Sequence, residues 1–119
     1  MSSQELSVLG QARRTQEHEA EAWLANWLTE YVATLMDLPP DEIDPEQTFA
    51  RFGLDSASSL GMTGDLAELL ECRIAESLAF EHPTIQQLSR YLGAKAEIQR
   101  ACARRLAAKH PASIALQAR

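Results

Sequence analysis

Ser56 stands in the stretch FGLDSASSL, residues 52–60, directly after Asp55 and three residues after Gly53. A hydroxyl behind a carboxylate, where a loop gives way to a helix, has two uses. In the first, Asp55 or Ser56 caps the helix, its short oxygen side chain accepting from the unpaired amides of the first turn. In the second, the hydroxyl carries chemistry. Hydrolysis would need a base, and the chain offers His18, His82 and His110. The serine follows Gly-Leu-Asp rather than sitting in a G-x-S-x-G turn. A helical domain this small also has little volume for a substrate pocket. Paired carboxylates are plentiful, but a charge-rich face is usually only solvated, and no phosphate-cradling glycine loop is present. What remains is a displayed hydroxyl at a helix N-terminus. Such an end carries free N–H donors and a partial positive charge, which stabilise a phosphate ester. Ser56 is therefore well placed to be modified on its oxygen by a phosphate-linked group.

The elements that hold this serine follow from the apolar spacing. Trp23, Leu24, Trp27, Leu28, Tyr31, Val32, Leu35 and Met36 recur at the helical period and predict a helix from about Glu17 to Asp37 with one apolar stripe. Pro39 and Pro40 end it. A loop then runs to about Leu54, with Ile43, Phe49 and Phe52 expected to pin it to the core. The second helix is DSASSLGMTGDLAELLECRI, with Met62, Leu66, Leu70 and Ile74 as its buried stripe. Gly61 and Gly64 lie inside it, although glycine costs a helix about 1 kcal/mol against alanine. A brief turn around Leu78 and Phe80 precedes a third helix carrying Ile85, Leu88, Tyr91 and Leu92. No period-two segment occurs. The expected fold is all-α: a bundle of three principal helices plus a short one, with a long loop between helices one and two.

Charge divides the chain differently. Residues 17–92 carry fifteen Asp and Glu against three Lys and Arg, a net −12. Residues 93–119 carry six Lys and Arg against one Glu, a net +5. The expected organisation is an N-terminal arm over 1–16, flexible or the frayed start of a helix, a domain over 17–93, and a basic extension over 94–119. The extension reads as solvated, or as an amphipathic helix for an acidic partner or a membrane surface, with Ile98, Cys102 and Leu106 four residues apart. An acidic body repels nucleic acid. No run of about 18 apolar residues is long enough to span a membrane, and the N-terminus has no secretory apolar region. A cytoplasmic location is the expectation. Cys72 and Cys102 are far apart in sequence without a histidine pair, so neither a metal site nor a disulfide is expected.

Three motifs fall in order: F-x-x-x-G-L-D-S, the helix after it, and L-x-F-E-H-P-T-I-x-x-L downstream. Over about Trp23 to Leu92 this arrangement resembles an acyl carrier protein, and most of all the carrier domains of modular polyketide synthases and nonribosomal systems. The resemblance implies that Ser56 is the attachment point of 4′-phosphopantetheine. It implies that a phosphopantetheinyl transferase moves that group from coenzyme A with Mg²⁺, and that Asp55 helps the transferase place its metal and the serine. The chain would then be a monomeric carrier and no enzyme, handing thioester-bound acyl groups between partners. Those partners would be an acyl-activating ligase or adenylation enzyme and a ketosynthase or other acyl-processing enzymes of a polyketide, lipopeptide or related specialised-metabolite pathway. Its recognition surface would comprise Leu54, Ala57, Leu60, Gly61, Gly64, Asp65 and Glu68.

Two departures from the family pattern bear on partners. Ala57 follows the serine where the family usually has a bulky apolar residue, and Gly61, Gly64 and Ala67 thin the acidic face of the second helix to Asp65, Glu68 and Glu71. Fewer charges weaken long-range steering and favour recognition by shape, which points away from generic fatty-acid enzymes. MTGDLAELLECRIAESLAFEHPTI particularly resembles carriers that work with fatty acyl-AMP ligases at loading steps. A second reading, motivated by Ala57 and the basic extension, is a carrier-like interaction module that bears no phosphopantetheine.

Overall fold

The computed structural model describes residues 3–108, with side-chain surroundings from residue 14 to residue 107. His110 and the end of the basic extension lie outside them. Five α-helices and one short 3₁₀ turn make up the described chain, and no strand occurs among these residues.

Helix α1, Ser3–Met36, begins ahead of the start that the apolar period suggests. Its apolar residues form two rows rather than one stripe. Ala20, Leu24, Leu28 and Val32, four residues apart, are closed off in the core. Trp23, Trp27 and Tyr31 form a second row that is only half-buried, and Leu35, at the end of that row, is 46% exposed. The helix stops at Asp37, whose φ of 56° is left-handed. There the Leu38 amide reaches back to the Ala33 carbonyl at 2.9 Å, satisfying a carbonyl that the helix leaves open.

The long loop is pinned at three places. Ile43 and Phe49 are buried, and Phe52 is half-buried. The Phe49 amide donates to the Pro83 carbonyl at 2.9 Å, and the Gln86 amide donates to the Pro45 carbonyl at 3.0 Å. Thr48 and Thr84 form an isolated antiparallel bridge between them. The downstream Glu-His-Pro-Thr segment thus anchors the loop that leads to Ser56.

Helix α2, Ser56–Leu70, buries Met62, Leu66 and Leu70 as the spacing predicts. It ends earlier than expected. Glu71 turns left-handed at φ 54°, the Cys72 amide bonds the Ala67 carbonyl at 3.1 Å, and Ile74 reaches the core from the turn beyond. Helix α3, Leu78–Glu81, is the short element. Helix α4, Ile85–Gly93, starts at Thr84, whose hydroxyl oxygen accepts from the Gln87 amide at 3.0 Å. It packs along α1, and Gly93 permits the contact: a Cβ there would lie 3.0 Å from the Glu21 nitrogen.

Helix α5, Ala96–Ala108, is built from the basic extension. It packs on α1, α2 and α4 and contributes Ile98, Ala101 and Cys102 to the common core. The Arg105 guanidinium donates through Nε, at 3.0 Å, and Nη2 to the Leu69 carbonyl. A cation there complements the negative end of α2. None of the described helices is long and apolar enough to cross a membrane.

Candidate functional site

The approach to Ser56 is a sequence of local constraints. Gly53 has φ 93°, a backbone that side chains resist, which explains glycine at this point. Leu54, at 6% exposure, anchors the loop in the core. Asp55 is the extended N-cap, and its Oδ1 accepts from the Ser58 amide at 2.8 Å. That amide bond, ahead of every other influence, holds the Asp55 carboxyl below its ordinary range. The Ser59 amide donates to the Asp55 carbonyl at 2.9 Å and begins the helical ladder.

Ser56 is the first residue of α2 and is exposed. Its hydroxyl makes no side-chain hydrogen bond among the described residues. The cap function therefore belongs to Asp55, which leaves the serine oxygen available. The two uses of the Asp-Ser pair divide between the two residues.

Of the other residues picked from the sequence, Ala57, Leu60, Gly61, Gly64, Asp65 and Glu68 are all exposed along the outer side of α2. Leu54 is not among them, because it faces inward, and Met62 is fully buried. The exposed side carries little bulk. A Cβ on Gly64 would meet nothing within 4 Å. Gly61 lies beside Tyr31 of α1, with an added Cβ 3.8 Å from the phenol oxygen. Tyr31 donates to Asp65 Oδ2 at 2.7 Å, tying α1 to α2 one helical turn beyond Gly61. Burial, reinforced by the Asp65 bond and charge, pushes the phenol up to about 12. Trp27 stacks on Tyr31 with ring centroids 5.0 Å apart.

The Tyr31–Asp65 tie escapes a reading of spacing alone, since its partners are distant in sequence. His82 lies apart from the serine's immediate surroundings: its ring stacks on Tyr91 at 4.1 Å, with the Lys95 ammonium over the tyrosine at 4.7 Å.

This geometry fits a phosphate-linked arm. Ser56 is exposed, the helix N-terminus favours an anion, and Ala57 beside it is small.

A family model described as phosphopantetheine attachment site matches residues 26–92. One component of the phenolphthiocerol/phthiocerol polyketide synthase of Mycobacterium tuberculosis is 39% identical over 74 residues, which cover 62% of this chain and 4% of that protein. The chain thus spans only a small fraction of such synthases. Acyl carrier protein TtuC of Teredinibacter turnerae is 33% identical over 69 residues, covering 58% of this chain and 79% of the relative. A free-standing peptidyl carrier protein of Acinetobacter baumannii has a similar crystal structure, with a TM-score of 0.58 and 35% identity over 62% of this chain and 92% of that one.

Proposed function

This chain belongs to the phosphopantetheine-attachment family of carrier proteins, and from that membership we propose that Ser56 is the residue that bears the arm. Members of the family are carriers rather than enzymes, and their cofactor is covalently attached 4′-phosphopantetheine. When attached, the arm supplies a terminal thiol that holds an acyl group as a thioester. The residues of this chain provide the rest. Ser56 offers the oxygen that accepts the phosphodiester, Asp55 fixes the turn and keeps a negative charge beside it, and Leu54 and Gly53 set the angle at which α2 leaves the loop.

The observation that carries the assignment is the exposed Ser56 hydroxyl at the first position of α2, behind an Asp55 carboxylate that already fills the cap. The working partners follow as part of the same reading. A phosphopantetheinyl transferase attaches the arm, an acyl-activating ligase or adenylation enzyme charges it, and a ketosynthase or comparable enzyme removes the cargo. The pathway class is polyketide, lipopeptide or a related specialised metabolite, as the names of the similar proteins support. Ala57, Leu60, Gly61, Gly64, Asp65 and Glu68 form the face offered to those enzymes. Its few charges leave shape and apolar contact to discriminate among them.

Incubating the full chain with coenzyme A and a promiscuous phosphopantetheinyl transferase tests the assignment by intact mass. The wild type gains one phosphopantetheine, and Ser56→Ala gains none. An equal gain in that variant, or none in the wild type, overturns it.

A further inference from the structure

Trp23 and Trp27 of α1 are only half-buried, packed against the core from outside. Leu24, Leu28, Val32, Met62, Leu66, Ile85 and Leu88 are all at 0% exposure, so the interior between the helices is closed. A partly enclosed cavity of about 80 Å³ lies between α1 and α5 and takes no lining from α2. In this conformation the interior offers an acyl cargo no preformed space, which turns attention to the outer surfaces.

One outer surface of α1 borders α2, the helix that begins at the attachment residue. Trp27, Glu30, Tyr31, Thr34 and Leu35 line an open groove along α1. The groove meets α2 at Gly61, where the phenol oxygen lies 3.8 Å from the position of an added Cβ, and the Tyr31–Asp65 bond locks that junction. Gly61 is five residues along α2 from Ser56, about 7.5 Å at the helical rise. Ala57 and Gly61 raise no long side chain in between. A tether at Ser56 thus reaches the Trp27–Tyr31 pair past Ala57 and Gly61, with the exposed Leu60 flanking its path.

We infer that the stacked rings of Trp27 and Tyr31 form the resting surface for the apolar acyl cargo held on the Ser56 arm, with Gly61 as the crossing from α2 to α1. The inference rests on the Ser56 assignment. Charge argues for this occupant over a second copy of the chain. Glu30 and Asp65 rim the surface, and each copy carries a net charge of −6, so two copies repel at long range. An uncharged chain meets no such opposition. The phenol hydroxyl is already engaged with Asp65, so the ring faces rather than the polar tip are what the groove offers.

The test loads the full chain with either a dodecanoyl arm or the same arm brominated near its end, delivered from the corresponding acyl-coenzyme A. Intact mass gives the loaded fraction and tryptophan emission is normalised to it. Bromine quenches on contact, at about 4 Å. Trp27 is one of two tryptophans, so the brominated arm lowers emission by about half relative to the plain arm. The quench disappears in Trp27→Phe, and Gly61→Leu, which raises a side chain on the crossing, reduces it. Full loading with equal emission from the two arms overturns the inference alone, and places the cargo elsewhere, for example beside the exposed Leu60 or Phe80. A quench undiminished in Trp27→Phe also overturns it. A quench that grows with protein concentration assigns the groove to a second copy and overturns it as well. If no mass is gained, the Ser56 assignment fails and this inference fails with it.

Discussion

Two carboxylates near Ser56 are committed to different bonds. Asp55 is held by the Ser58 amide and closes the turn, whereas Asp65 receives the Tyr31 phenol across two helices. The second bond has a consequence in alkaline solution. The phenol titrates near 10 in the unfolded chain and at about 12 in the folded one. Its folded value is raised, so the stability it contributes is fully present below pH 10 and is lost as the pH rises through about 12. Tyr31→Phe lacks the hydroxyl at every pH and has no such dependence. The stability gap between wild type and Tyr31→Phe, from urea midpoints at pH 8, 10 and 11, should therefore narrow above pH 10. A gap that stays constant or widens would show that the phenol ionises as freely in the folded chain as in the unfolded one.

Helices and loops divide the work between packing and presentation, and the sequence reveals the two unequally. The Asp-Ser pair and its place at a helix start are legible, because capping chemistry is local and Gly53 marks the left-handed turn that precedes it. The buried stripe of α2 is legible for the same reason, since Met62, Leu66 and Leu70 repeat at the helical period. The end of α2 is not. Ile74 continues the four-residue spacing but lies past a left-handed Glu71, and no glycine announces the stop. The two rows of α1 are equally hidden, because spacing alone does not say which of two adjacent rows meets a neighbour. The charge boundary near Gly93 misleads in another way: it is not a packing boundary, as Ile98 and Cys102 of α5 enter the same core. Gly93 itself marks a close approach of α4 to α1. In Gly93→Ala, the new methyl meets the Glu21 backbone, and overpacking of this kind costs about 1–3 kcal/mol. The gain in helix propensity offsets about 1 kcal/mol of that. Chemical denaturation should show a net loss of up to about 2 kcal/mol with an unchanged m-value. A raised midpoint would mean that the two helices separate at little cost.

At the scale of the whole molecule, a carrier whose cargo hangs on a thiol must keep its own thiols out of the exchange. Cys72, on the turn after α2, and Cys102, on α5, are both free. Cys102 is 1% exposed, and burial, with a smaller contribution from Cys72, pushes its thiol up to about 11. Burial, followed by the charge of Glu97, also raises the Cys72 thiol. The thiolate is the reactive form, and the raised value leaves far less of it at neutral pH. The packing of α5 against the body thus withdraws Cys102 both from solvent and from ionisation. In Ellman's assay at pH 8, native apo protein should react slowly, with Cys102 titrating only on unfolding in denaturant, while the arm-bearing protein should add one fast thiol. Cys72→Ser isolates Cys102. If that variant reacts at the rate of a free thiol while still folded, α5 opens readily from the core and the basic extension is a detachable arm rather than a fifth helix of the bundle.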